Sequence, residues 1–282
     1  LVGVALGRLA SVDPGGKWAN RPSESLREIF LPWRPQTTAT VEQRTAAIDA
    51  LLRRAPDAGW LLLFALLPHR AGDVSGQTAR PRWREWADAW DDTVTHGQYG
   101  RVLREIAARI ESGVGDDLQR WVVVLGALDR LPPSTRGGLI ESLARCSWAG
   151  RSPTDHAQLA RALRAVLHRH RAYADADWAF PESQLARIEA MYERLGTDEP
   201  VQSIAWLFAQ RPDLVHPPPA RDFHESFDMV RQAQNEGLGR ALAAAGPGCV
   251  LMLLDQVEEP WSVGTAAGSP QHASVCEDTI VD

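Results

Sequence analysis

Apolar positions recur at three- and four-residue intervals almost everywhere between turn signals, which is the spacing of one face of an α-helix. Val41, Ile48, Leu51, Leu52 and Ala55 mark one such face, and Thr40 with Gln43 forms the pattern of a capping box ahead of it. Pro56 is expected to stop that helix and Asp57 to cap the next, Ala58 to Leu67, which is apolar all round and so expected to be buried. Tyr99, Val102, Leu103, Ile106 and Ile110 mark a further stripe. Asp116 or Asp117 opens a helix with Leu118, Trp121, Val122, Leu125 and Leu128 inward, and Ser134 is placed to cap a shorter one through Cys146.

The second half repeats the pattern. Ser152, Pro153 and Asp155 read as cap, first-position proline and third-position acid, ahead of the stripe Leu159, Leu163, Val166 and Leu167. Leu185, Ile188, Met191, Tyr192 and Leu195 mark another helix, followed by a short one around Val201, Ile204 and Phe208. Phe223, Phe227, Val230, Leu238 and Leu242 predict a longer helix ending at Gly246, and Val250 to Val257 a last one. No alternating run demands a strand, so the fold is expected to be all-α. The helices pair as 40–67, 97–130, 134–172, 182–209 and 222–258, which suggests an irregular α-solenoid of antiparallel pairs, with a compact helical bundle as the alternative.

Three stretches break the helical rhythm. They are 12–39, rich in Pro, Gly and Trp, the polar loop 68–82, and 211–221, "RPDLVHPPPAR". They suggest a helical-repeat region over 1–210, a Pro-rich linker at 211–221, a C-terminal helical pair at 222–263 and a frayed tail at 264–282.

Composition adds exclusions. With 44% hydrophobic residues in 282, the chain has enough apolar surface for a core. A net charge of −6 argues against an obligate, non-specific nucleic-acid binder. The longest apolar run, Trp60 to Leu67, falls far short of the roughly 20 residues a membrane span needs. Cys146, Cys249 and Cys276 form no CxxC pair, which points to a reducing cytosol and to neither a disulfide framework nor a zinc site. The start at Leu1 lacks a signal-peptide pattern and suggests a cytoplasmic piece of a longer protein. Lys17 is the one lysine among 30 basic residues, so the arginine excess reflects overall composition before it reflects phosphate binding.

Motif tests return no chemistry. "SVDPGGKW" has Ser11 and Trp18 where a phosphate loop needs glycine and a hydroxyl. "GVGDDL" lacks the third glycine of a dinucleotide fingerprint, and His224-Glu225 lacks the second histidine of a zinc helix. No catalytic residue, cofactor or metal is therefore expected. His156, His168 and His170 share one helix; His156 and His170 lie near its apolar stripe and read as two partly buried rings with satisfied partners, with a metal or acid–base role as the alternative. Arg161, Arg164, Arg169 and Arg171 make the same helix basic; this is either a solvated face or a phosphate-binding one. "PRWREWADAW" sets Trp83, Trp86 and Trp90 on one helical face beside Arg82 and Arg84. Those residue types are enriched at binding hot spots, and equally serve as a Trp-lined core. Asp91-Asp92 and Asp116-Asp117 read as helix caps.

The phrases "DPGGKWANRPSESLREIFLPWRPQT", "PDAGWLLLFALLP", "RPRWREWAD", "FPESQLARIEAMYERL" and "SIAWLF" occur in that order. Over about residues 1–265 the chain resembles the helical C-terminal region of large bacterial proteins that carry an N-terminal sirtuin-like or other effector domain and a central STAND-type NTPase. The resemblance implies a sensor in defence against phage, with the effector and NTPase parts before Leu1. The expectation is thus a non-catalytic region that binds a protein ligand, with self-association through the full-length protein and no membrane or nucleic-acid partner. A stand-alone scaffold and a helical nucleic-acid-binding module on the 156–171 helix are the alternatives.

Overall fold

The computed structural model describes residues 2–17, 21–34, 37, 39–69, 94–219, 223–257 and 259–280. These form fourteen α-helices joined by turns and short 3-10 segments, with no strand among the described residues, so the fold is all-α. Contacts divide the chain into two compact units, one of residues 1–120 with 127–142 and one of 121–126 with 143–282. No helix among the described residues is long and apolar enough to cross a membrane.

The first unit holds α1 (Val2–Ser11), α2 (Pro22–Phe30), α3 (Val41–Arg54), α4 (Pro56–Ala65) and α5 (His96–Gly113). Thr40 and Gln43 close the expected capping box on α3. The helix α3 ends at Arg54, just before Pro56, as expected. Pro56 also has a second role. It is the first residue of α4, where its missing N–H costs nothing, and Asp57 supplies a first-turn acid without capping. The apolar α4 is buried along Ala58, Trp60, Leu62, Leu63 and Phe64, although Leu61 is exposed. Two glycines set how closely its neighbours approach. A Cβ on Gly7 would lie 2.3 Å from Leu51 Cδ1, and one on Gly59 would lie 3.0 Å from the Leu52 backbone.

Polar ties complete this unit. Arg109 on α5 grips Asp49 on α3 with two hydrogen bonds of 2.7 and 3.0 Å and also reaches Glu105 at 2.8 Å. Arg120 donates to the Gly113 carbonyl at the end of α5, and its guanidinium lies 4.9 Å from the Trp60 ring centroid. Two further helices, α6 (Leu118–Ala127) and α7 (Pro133–Arg145), contribute residues to both units. Asp117 caps α6 by accepting from Arg120 N, whereas α7 begins at Pro133, one residue before the serine expected to cap it.

The second unit holds α8 (Pro153–Ala172), α9 (Glu182–Glu193), α10 (Pro200–Ile204), α11 (Phe223–Ala245), α12 (Cys249–Leu254), α13 (Pro260–Ala267) and α14 (Ala273–Ile280). Its main core gathers Val201, Ile204, Phe208, Leu214, Leu238 and Val263, all buried. Gly237 lets α11 approach the end of α10 and the 3-10 turn after it, since a Cβ there would meet Leu207 Cδ1 at 2.9 Å and Ile204 Cγ2 at 3.3 Å. Gly246 ends α11 at φ +72°, the left-handed cap that glycine adopts without strain. Phe227, placed inward by the sequence pattern, is instead exposed.

Two segments differ from the sequence reading. Residues 211–219 do not run free as a linker. Leu214 is buried in the core, and its carbonyl accepts from His168 Nδ1 at 3.1 Å, while the Val215 carbonyl accepts from Arg171 at 3.0 Å. Residues 264–280 do not fray. They finish α13 and form α14, with Ala267 and Cys276 wholly buried.

Candidate functional site

The second unit contains an open cleft of about 960 Å³ built by α8, the C-terminal end of α9 and α10. Its first wall is fixed at the start of α8. Ser152 Oγ accepts from Asp155 N at 3.1 Å and the Asp155 carboxylate accepts from Ser152 N at 3.3 Å, the reciprocal capping box the sequence predicts. His156 Nε2 donates to the Trp148 carbonyl at 2.8 Å, tying the incoming chain to the first turn. Ala160 and Arg164 follow at one-turn intervals, so they line the same side of the helix, and the small alanine leaves space beside the arginine.

The opposite wall depends on local hydrogen bonds. Glu199 N donates to Thr197 Oγ1 at 3.2 Å, and the Glu199 carboxylate accepts from Gln202 N, starting α10 with Pro200 in its first turn. Ser203 Oγ donates to the Pro200 carbonyl at 2.7 Å, and Trp206 Nε1 donates to the Ser203 carbonyl at 3.0 Å. That last bond orients the indole toward α8. The Arg164 guanidinium carbon lies 4.2 Å from the Trp206 ring centroid and 5.6 Å from that of Tyr192.

Arg164 is 8% exposed, and its Nε–H has no hydrogen-bond partner. Burial lowers its basicity; a hydrogen bond to Tyr192 and the more distant charge of Asp213 offset only part of that. Arg44, equally buried, is likewise made less basic by burial, whereas two other inward arginines are paired with carboxylates. Arg109 is held above its ordinary basicity first of all by its hydrogen bonds to Asp49, against the effect of burial. Arg171 also works against burial, and hydrogen bonds to Glu182 and Glu189 more than restore its charge. Of Arg109, Arg164 and Arg171, Arg164 alone lacks a hydrogen-bonded carboxylate, and it alone lines the cleft.

The four arginines expected to share a face do not. Arg161 is exposed, Arg164 is buried, Arg169 lies 4.6 Å from the Trp178 ring centroid, and Arg171 is held between Glu182 and Glu189. The helix is therefore neither a simple solvated face nor a continuous phosphate-binding one. His156 and His170 are satisfied as expected, and so is His168. His156 and His168 donate to carbonyls, and His170 accepts from Phe180 N at 3.2 Å with its ring stacked 3.7 Å from that of Phe180.

Arg82, Trp83, Arg84, Trp86 and Trp90 lie outside the described residues. Among the described residues no cluster of His, Cys, Asp and Glu is arranged to hold a metal ion. Tyr192, which sequence reasoning placed on a helical stripe without a functional role, and Trp206, which it did not single out, both line the cleft. The one available signal was Arg164 itself, next to Leu163 and one turn from Ala160 and Leu167, inside a buried stripe.

Chemically, the cleft offers a cation beside an aromatic ring, in a lining that also holds Arg151, Glu193, Asp198 and Glu199. Such a surface recognises a ligand by charge and shape. No protein-family model, curated protein or solved structure matches this chain.

Proposed function

We propose that this chain is a non-catalytic interaction region of a larger protein and that it receives a protein ligand in the α8–α9–α10 cleft. The observation that carries the reading is Arg164, a buried cation without a hydrogen-bonded carboxylate, lying against Trp206 in the wall of an open cleft. Trp, Tyr and Arg are the residues that most often dominate interface energetics, and here all three converge. A helical-repeat arrangement of the antiparallel pairs suits this role, because such folds commonly present extended binding surfaces. The resemblance to the helical regions of STAND-type defence proteins makes the ligand a molecule sensed during phage infection and places the chain in the cytoplasm. Arg82, Trp83, Arg84, Trp86 and Trp90 supply a second contact in this reading.

The test is photo-crosslinking in cells carrying the full-length protein, with a benzophenone amino acid at the exposed position 202, before and during phage challenge. A discrete protein adduct that disappears with Arg164→Met, while the helical circular dichroism is retained, supports the proposal. An adduct indifferent to Arg164→Met, or no adduct in either condition, overturns it.

A further inference from the structure

The charge pattern of the cleft restricts what it can hold. Its lining includes Arg164, mostly desolvated and without a hydrogen-bonded carboxylate of its own. Removing a guanidinium from water is costly unless an anion replaces the lost hydration, and the protein supplies the Tyr192 hydroxyl, the Trp206 ring and the more distant charge of Asp213. A carboxylate on Arg164 would add the charge-assisted pairing that Arg109 and Arg171 already have.

Glu193, Asp198 and Glu199 line the same space, together with a second arginine, Arg151. Glu193 and Asp198 are exposed, and Glu199 is committed in part to capping α10. A phosphate dianion placed on Arg164 would share the cleft with these like charges. A monoanion attached to a nearby cation would instead meet complementary charge of both signs. The apolar surface between them, from Ala160, Leu195, Ala205 and the Trp206 ring, fits the aliphatic stem of a basic side chain better than a bare ion.

We infer that the cleft recognises a peptide segment in which an acidic side chain lies beside a basic one, the carboxylate pairing with Arg164 and the cation facing Glu193, Asp198 and Glu199. This rests on the interaction reading above and names the chemistry of its ligand. The volume, about 960 Å³, is at the upper end of the ~300–1,000 Å³ usual for small-ligand clefts, enough for a short stretch of side chains.

The experiment uses the full 282-residue chain labelled with 5-fluorotryptophan, its Trp206 resonance assigned by Trp206→Phe. The probes are the blocked peptide acetyl-Ala-Glu-Lys-Ala-amide, its analogue with Gln for Glu, its analogue with norleucine for Lys, and inorganic phosphate. A saturable Trp206 shift is expected with the first peptide. Both analogues are expected to bind about tenfold more weakly, as is phosphate.

Arg164→Met should erase the preference for Glu over Gln. Should that variant lose its helical structure, the surface pair Glu193→Gln with Asp198→Asn serves instead and should erase the preference for Lys over norleucine. Equal binding of the Glu and Gln peptides, tighter binding of phosphate, or no Trp206 shift overturns the inference. A crosslinked partner at position 202 that still depends on Arg164 would then leave the interaction reading standing, whereas loss of both results removes it.

Discussion

The guanidinium carbon of Arg164 lies 4.2 Å from the centre of the Trp206 ring, across 42 residues of sequence and between two helices that share no capping element. The indole covers one face of the cation, and its own N–H is spent on the Ser203 carbonyl. The stack therefore holds the charge in place without neutralising it. The arrangement differs from the ion pairs that hold Arg109 and Arg171.

That difference predicts how two arginines on one helix respond to the same substitution. Arg171→Met strips the partner from Glu182 and Glu189 and frees the Val215 carbonyl, so it should cost about 2 kcal/mol or more. Arg164→Met removes a poorly compensated charge and keeps most of the packing, so it should stay within about 1 kcal/mol of the parent. Urea unfolding of the two variants side by side decides the matter, and a larger loss for Arg164→Met would contradict this account.

Acid should weaken both units through identified carboxylates. The hydrogen bond from Arg109 holds the Asp49 carboxyl below its ordinary 3.8, and that from Arg171 holds Glu189 below its ordinary 4.5. A depressed folded-state value means the stabilisation is fully present above the unfolded value and lost as pH falls through the folded one. Stability should thus be flat above about pH 5 and decline below about pH 4. Urea midpoints measured from pH 6 to pH 2.5 should show a shallower decline in Asp49→Asn, which begins from a lower plateau.

Glycine substitutions separate close approach from helix propensity. Gly137 sits inside α7 with no atom within 4 Å of its would-be Cβ, so Gly137→Ala should stabilise by roughly 0.5–1 kcal/mol. Gly7→Ala would set its methyl 2.3 Å from Leu51 Cδ1 and should destabilise despite the same propensity gain. Thermal unfolding of the two variants should move in opposite directions.

Thiol reactivity offers a test of the C-terminal helices. Burial raises the Cys249 and Cys276 thiols above their ordinary value of 9.0 and hides both side chains, whereas Cys146 is part-exposed. Ellman's reagent should titrate one thiol quickly in the native protein and two more only on denaturation. Rapid reaction of all three would mean that α12 and α14 do not pack as described.

Much of the fold can be read from local signals. The capping boxes at Thr40 and Ser152 and the glycine stop at 246 depend on neighbours within four residues, and each forms as the pattern predicts. Pro56 shows the limit of that logic, because proline ends one helix and begins another with equal ease. The tail was missed because Ala266, Ala267 and Cys276 bury small side chains that give almost no apolar period. The cleft was harder still. Arg164 is visible as a charge in a buried stripe, but Tyr192 and Trp206 reach it only through the tertiary fold.

The strap formed by His168, Arg171 and residues 214–215 has a consequence for how this protein can be divided. A proline-rich stretch invites a cut, yet Leu214 belongs to the same core as Val201, Leu238 and Val263. A gene fragment ending at the prolines would encode half of an interior and leave Ile204 and Phe208 facing water. A cut within 211–219 would therefore divide the core of the second unit, and a viable break has to fall elsewhere in the chain.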